Sequence, residues 1–239
     1  MAGSDPPPNL DPNSMFIWLP KVVEARIPSP RTVMMEVDRW ALTNCFDPDE
    51  ATDEDLLKRI AETAEAFGYP LFLRTDLASG KHSWERSCYV PTRDLLFRNL
   101  AGVIEANEIA SIMGLDYTGL AFRELLELDA TFTAFDGMPV ARERRYFAEG
   151  GVVKCRHAYW FEGAIEGSWR PKPADWKERL ALLNDESTDP RELAEWASRV
   201  TALLPGAWSV DFACLRDRRH WVLIDMALAH QSWHPEHLS

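Results

Sequence analysis

Two aspartates near the end of the sequence offer the most definite chemistry. Asp211 lies in WSVDFACL and Asp225 in WVLIDMA, and the Asp217-Arg218-Arg219 stretch separating them reads as a hairpin turn. With the turn centred on Arg218, the two strands pair so that Asp211 faces Asp225. Like charges directly across a ladder are destabilising. Val210, Phe212, Ile224 and Met226 flank them, so neither carboxylate reaches water at little cost. Three compensations are open: a raised pKa on one acid, a nearby arginine, or a divalent cation. Hard oxygen donors at that separation suit Mg2+, which keeps several waters and bridges nucleotide phosphates. A structural acid–arginine pairing stays open beside the metal, and a slip of one residue in the register would remove the opposition.

Other residues carry weaker signals. Arg74 ends the apolar run LFLR, and a cation emerging from a buried strand is costly without an anionic partner. In Ala78-Ser79-Gly80-Lys81-His82-Ser83, Gly80 and its small neighbours let backbone N–H groups approach an anion, and Lys81 adds charge at the tip. GxxxxGK[ST] is absent, so this is no Walker A loop, and an ordinary solvated loop explains it as well. On PVARERRYF, Glu143 and Arg145 share one face while Arg142 and Arg144 share the other. Alternation does not say which face is wet, and charges on a solvated sheet are the plain reading. His230, His234 and His237 suggest a metal cluster, yet histidines on an irregular tail are more often solvent-exposed. Ser79, His82 and Ser83 lack the G-x-S-x-G elbow of a nucleophile. Trp160, Trp169, Trp176, Trp208 and Trp233 could serve a partner, although core packing is the default for tryptophan.

The elements that must position these residues are legible in outline. A helix is expected from Thr52 to Phe67, with Thr52 and Asp55 as a capping box and Gly68 and Pro70 as the stop. A strand Leu71–Arg74, a polar loop and a second strand around Cys88–Val90 follow, then a helix from Thr92 to about Met113. From Thr131 the pattern turns to period two, a meander through FTAF, PVARERRYF and VVKCRHAYWF with turns at Asp136-Gly137 and Glu149-Gly150-Gly151. Residues 163–172 read as loop. Pro190–Leu204 reads as a helix with Asp189 at its N-cap and Pro190 at N1. Helices and antiparallel strands in separate runs indicate an α+β fold.

Composition narrows the function classes. The chain has 239 residues and 46% hydrophobic residues, enough for one large domain or two packed lobes. Its 38 acidic residues outnumber 26 basic ones, a net charge of −12, which argues against bulk nucleic-acid binding. The local cluster Arg142, Arg144, Arg145, Lys154 and Arg156 suits a phosphate or carboxylate ligand better than a duplex. Cys45, Cys88, Cys155 and Cys214 are scattered with no CxxC pair, which fits structural thiols in a reducing cytoplasm. No apolar run approaches the roughly 18–20 residues of a membrane span. Residues 1–14 have no basic or apolar leader region and read as a disordered tail.

Taken in order, the pieces resemble the ATP-grasp superfamily, in particular the compact ATP-grasp proteins of phages and actinobacteria. The order is a strand ending in a cation, a Gly-Lys loop, the acidic apolar segment FRELLEL (Phe122 to Leu128), a Glu-x-Arg strand and a hairpin ending in apolar-apolar-Asp. The resemblance runs from about Phe16 to His234. It implies two α+β lobes holding a nucleotide between antiparallel sheets, with residues 15–120 carrying the small lobe and 121–239 the lobe with the metal site. It implies ATP and Mg2+ as cofactors. By position, Arg74 would meet the α-phosphate and Lys81 would lie over the β- and γ-phosphates. Glu124, Leu125 and Leu126 would form the hinge that reads adenine, with Glu127 near the ribose hydroxyls. Glu143 and Arg145 match the Glu-x-Arg strand beside the phosphates, and Asp211 and Asp225 match the metal carboxylates. One departure stands out: the second metal strand of many ATP-grasp ligases reads acid-x-Asn, and here Ala227 takes the Asn position. Gln231 or a water could replace that ligand, or one ion suffices.

The resemblance implies an ATP-dependent carboxylate–amine or carboxylate–thiol ligase working through an acyl phosphate. Arg74, Lys81 and Arg145 would neutralise charge on the transferred phosphoryl group. ATP and an unidentified carboxylate would be its substrates. A second expectation is a non-catalytic ATP-binding module with a protein partner, since the superfamily includes a eukaryotic assembly factor for a translation-initiation complex. A third is a phosphotransferase or nucleic-acid end-joining enzyme on the same fold.

Overall fold

The structure, a computed structural model, describes residues 10–111, 116–168 and 170–235. Helices and antiparallel strands alternate in blocks, the expected α+β architecture. In chain order come α1 (Met15–Glu24), β1 (Thr32–Glu36), α2 (Arg39–Asn44), α3 (Glu54–Phe67), β2 (Leu71–Thr75), β3 (Tyr89–Val90), α4 (Leu96–Ser111) and β4 (Gly119–Glu124). The second half holds β5 (Ala130–Ala134), β6 (Met138–Ala141), β7 (Glu143–Glu149), β8 (Val152–Ala158), α5 (Glu162–Glu166), α6 (Trp176–Asn184), α7 (Glu192–Thr201), β9 (Ala207–Cys214) and β10 (Trp221–Leu228). The chain divides into two compact units: residues 1–16, 31–125 and 136–138 form unit 1, and the remainder forms unit 2.

Unit 1 is built on a four-stranded antiparallel sheet in the order β1-β4-β2-β3. Its strands alternate, so Leu71 and Leu73 of β2 and Leu120 and Phe122 of β4 share one face. That face meets the apolar stripe of α3 (Leu56, Ile60, Ala64, Phe67) and Leu96, Leu100 and Val103 of α4 in one core cluster. Helix α3 begins one residue later than Thr52 proposed: Asp53 is the N-cap, accepting from the Leu56 N–H at 2.9 Å. Gly68, at φ 95°, ends it as expected. The segment expected as a tail is tied down at its inner end. Asn13 and Ser14 are buried, and the Ser14 hydroxyl donates to Asp76 at 2.6 Å; residues 1–9 lie outside the described residues.

Unit 2 is built on a second antiparallel sheet, order β10-β9-β7-β8, with a two-stranded β5–β6 ribbon beside it in sequence. One face packs under α7, where Leu193, Ala197 and Val200 are buried together with Tyr146, Val210 and Phe212. PVARERRYF is not one strand. It breaks at Arg142, whose N–H donates to Asp129 and whose carbonyl accepts from Cys214, and the chain passes there from the ribbon into the larger sheet. The expected loop 163–172 begins as the short helix α5. Asp189 does not cap α7: Arg191 occupies that position, and the Asp189 carboxylate is taken by Arg144. Among the described residues, no helix is long and apolar enough to cross a membrane.

Candidate functional site

The sheet of unit 2 brings four polar side chains into one row. Arg145 of β7 stands opposite Asp211 of β9, Asp211 opposite Asp225 of β10, and on the other side Arg145 opposite His157 of β8. Directly opposed residues of an antiparallel sheet point to the same face, so the row His157–Arg145–Asp211–Asp225 lies on the face away from α7. Arg145 meets Asp211 side-on, with Nε to Oδ1 at 2.7 Å and Nη2 to Oδ2 at 2.7 Å. Such a two-point, charge-assisted pair fixes both partners in plane. Of the compensations open from sequence, the arginine is therefore present. Burial alone would lower the Arg145 pKa, but the charge and hydrogen bonds of Asp211 raise it above the usual arginine value, with smaller help from Tyr159 and Asp225.

A β-bulge creates the opposition of the two aspartates. Nearest the turn the pairs are Trp221 with Cys214, Val222 with Ala213 and Leu223 with Phe212, a register that would set Ile224 against Asp211. The extra residue at Ile224 shifts the strand by one, and Asp225 then faces Asp211. The expected pairing thus holds beyond the bulge and the slipped one holds before it.

The same face is furnished by residues that sequence reasoning did not assign. The chain leaving β8 lays the Tyr159 ring 4.6 Å from the Arg145 guanidinium carbon, a cation–π contact. The next residue, Trp160, donates its indole N–H to Glu143 Oε1 at 3.2 Å. Beyond β10 the chain folds back over this face as a short strap. Ser232 meets the Ser209 hydroxyl at 2.6 Å, the Trp233 carbonyl accepts from Arg145 Nη1 at 3.4 Å, and His234 Nε2 lies 3.1 Å from Cys155 Sγ. The Trp233 ring stacks on Phe161 and meets the edge of His157. His157 donates Nδ1–H to the Ala158 carbonyl at 2.7 Å, and its Nε2 is buried without a partner among the described residues. Burial lowers its pKa, opposed by that hydrogen bond, so the ring is neutral at physiological pH. The strap has no periodic pattern, and its histidines pointed only to solvent. In the structure His230 is exposed, His234 is packed, and His237 lies outside the described residues.

The opposite face is not a wet surface either. Arg144 is fully buried, with Nε to Asp189 at 2.5 Å and further bonds to the carbonyls of Leu183 and Asp185. Arg142 reaches Asp129 and the carbonyls of Leu182 and Asp185. These arginines bind the loop after α6 to the sheet and are structural. The tryptophans also sort: Trp160 and Trp208 are buried, Trp233 is 43% exposed, and Trp169 lies outside the described residues.

Unit 1 holds Arg74, Lys81, Glu124 and Leu125. Arg74 is buried and donates Nε–H to the Thr75 carbonyl at 3.0 Å. It shares the face of the sheet away from α3 and α4 with Phe72 and Arg123, the last a second buried arginine. The Lys81 loop is a 3-10 turn, Lys81–Arg86, entered through Gly80 at φ 62°, a left-handed conformation that glycine adopts without strain. Ser87 Oγ donates to the Gly80 and Ser83 carbonyls, and Arg86 pairs with the buried Asp136 at 2.9 Å. Glu124 continues β4, its carboxylate accepting from the Arg31 N–H at 3.2 Å. In unit 2, Leu126 is half-buried and the exposed Glu127 pairs with Arg216 at 3.3 Å. Asp76, unassigned from sequence, is a buried carboxylate accepting from Ser14, Thr118 and Gly119; an acid just after LFLRT was the available signal.

Two carboxylates and an arginine on one sheet row can hold one hard cation through oxygen. Asp211 offers oxygens already bridged to Arg145, Asp225 is half-buried, and position 227 offers only a methyl group. No group of three or more His, Cys, Asp or Glu converges for a metal among the described residues. The donor set fits Mg2+, which commonly takes one or two protein carboxylates and fills its shell with water and phosphate.

Comparison with known proteins agrees with this fold. Among solved structures, Cdc123 from Schizosaccharomyces pombe matches over 90% of this chain and 83% of its own, at 12% identity and a TM-score of 0.57. A C-terminally truncated form of Cdc123 gives a TM-score of 0.54 at 12% identity, over 90% of this chain and 82% of that one. N5-carboxyaminoimidazole synthase from Aspergillus clavatus, in complex with ADP and 5-aminoimidazole ribonucleotide, matches 90% of this chain at 14% identity and a TM-score of 0.48. The chain spans only 44% of that enzyme. No curated protein matches the sequence. The model of an ATP-grasp domain, the third family of its clade, matches residues 48–239, and the chain belongs to that ATP-grasp family.

Proposed function

We propose that this chain binds Mg-ATP and is an ATP-dependent ligase joining a carboxylate to an amine or thiol through an acyl phosphate. The observation that carries the metal part is the row itself. Asp211 and Asp225 stand directly opposite one another on a bulged hairpin, and Arg145 neutralises only one of them. A row with charges of −1, −1 and +1 keeps a formal charge of −1, which repels a phosphate and attracts a cation. Asp211 and Asp225 would hold Mg2+, and an ion there would neutralise charge on the terminal phosphates. The carboxylate substrate attacks the γ-phosphorus and ADP leaves; the amine or thiol then attacks the acyl carbon and phosphate leaves. The chain's own part is positioning and electrostatics. Arg74 takes the α-phosphate, Lys81 the β- and γ-phosphates, and Glu124, Leu125, Leu126 and Glu127 the nucleoside. Arg145, held by Asp211 and Tyr159, keeps the acidic row in register. Glu143, oriented by the Trp160 N–H, borders it.

Calorimetry of Mg-ATP binding tests this reading. Asp211→Asn and Asp225→Asn are each expected to weaken Mg-dependent ATP affinity by at least about tenfold, that is about 1.4 kcal/mol, with the fold intact by circular dichroism. Unchanged affinity in both variants would remove the metal assignment. One observation favours a second reading, an ATP-binding module without turnover: the row offers two carboxylates where acid-x-Asn would add a third donor. Phosphate release that requires both a carboxylate and an amine separates the two. Tight ATP binding with no phosphate released across a carboxylate and amine panel favours the module.

A further inference from the structure

We infer that Arg145 is a built-in cation that limits this site to a single divalent ion. The inference rests on the proposed Mg2+ site and adds its stoichiometry. Arg145 engages both oxygens of Asp211 at 2.7 Å, so neither oxygen has its full lone-pair set available to an ion. The guanidinium is no mobile surface group: its side chain is 12% exposed, with the Tyr159 ring on its face and the Trp233 carbonyl at its end. It therefore delivers a fixed positive charge at the centre of the sheet row.

The neighbouring rows do not supply what a second ion would need. On one side Ala227 faces Ser209, whose hydroxyl already meets the Ala227 carbonyl and Ser232. On the other side Val222 faces Ala213, and Glu143 takes the Trp160 N–H on one carboxylate oxygen. Counting Glu143 with Asp211, Asp225 and Arg145, the face carries a formal −2, which one divalent ion balances and two would overcharge. Removing the arginine charge leaves −3 and frees both Asp211 oxygens.

Mn2+ as a paramagnetic probe tests this without turnover, by electron paramagnetic resonance of the unbound ion in titrations of the nucleotide-free chain. The wild-type chain is expected to take up one ion. Arg145→Gln is expected to take up two, or to bind its first at least about tenfold more tightly, because a repelling charge within a few ångströms is gone. Arg145→Lys, which keeps the charge, is expected to bind one, as the wild type does. Two ions in the wild-type chain, or an unchanged isotherm in a folded Arg145→Gln variant, would overturn the inference while leaving the metal site in place. No uptake by the wild type would overturn the inference and the metal site together. The wild-type count decides the matter even where Arg145→Gln fails to fold.

Discussion

The charged residues of β7 show how little a residue's type says about its task. Four charges in a row, Arg142 to Arg145, divide between two faces with different physics. Glu143 and Arg145 lie on the acidic face, whereas Arg144 is sealed beneath the sheet with Asp189, both side chains fully buried. A buried pair of this kind contributes modestly when intact, yet losing one partner leaves an unpaired charge in a poor dielectric. Asp189→Ala is accordingly expected to destabilise the fold by about 3–5 kcal/mol, measured by urea denaturation, whereas an N-cap role would cost only about 1 kcal/mol. Replacing Arg144 and Asp189 together with apolar residues of similar volume should recover most of that loss. A double variant as unstable as Asp189→Ala would show that the Leu183 and Asp185 carbonyl bonds matter more than the charge pair.

At the scale of elements, two local irregularities place the candidate residues. The bulge at Ile224 rotates Asp225 into opposition with Asp211, as bulges near functional sites commonly re-aim a side chain. In unit 1 the turn carrying Lys81 is seated against α4 at Gly102, where an added Cβ would lie 1.9 Å from the Arg86 carbonyl oxygen. That oxygen is backbone and cannot swing aside. Gly102→Ala is expected to push the turn off the helix at a cost of about 1–3 kcal/mol, the usual range for overpacking. Hydrogen exchange is the measurement: the Ser83 amide, bonded to the Gly80 carbonyl at 3.0 Å, should exchange faster. Unchanged exchange there with a lowered melting temperature would mean that α4 yields instead of the turn.

For the whole molecule, the cysteines set a pH limit. All four are free, and Cys88 and Cys214 are buried. Burial pushes the Cys88 thiol up to about 12 from an ordinary 9.0, and Cys214 up to about 11. Both stay protonated in the folded chain while the unfolded chain loses those protons above its ordinary value. The unfolded state therefore binds fewer protons between pH 9 and the folded values, and stability falls as pH rises through that window. Below pH 9 the contribution is fully present. The expected slope from Cys88 is roughly 1 kcal/mol per pH unit. Melting curves from pH 8 to 11 check it, and a Cys88→Ala variant that loses stability just as steeply would count against it.

How much of this was legible in the sequence follows from the range of the forces involved. Period-two and helical patterns, the Gly68 stop and the Asp–Asp hairpin are local, so α3, β2, β9 and β10 could be read with small errors at their ends. The order of motifs pointed to the ATP-grasp fold, which the family match and the structural likenesses bear out. Other features depend on partners far away in the chain. Arg145 finds Asp211 and Arg144 finds Asp189 only once β7 lies between β8 and β9, and alternation alone could not say which face was buried. The strap of Ser232, Trp233 and His234 has no pattern of its own, because its position is set by Ser209, Arg145 and Cys155 on three different strands. The two aspartates show both sides of this division. Sequence alone set them across a hairpin and required a compensating charge; the tertiary structure chose Arg145 for one of them, since only sheet pairing brings a residue 66 positions away within 2.7 Å.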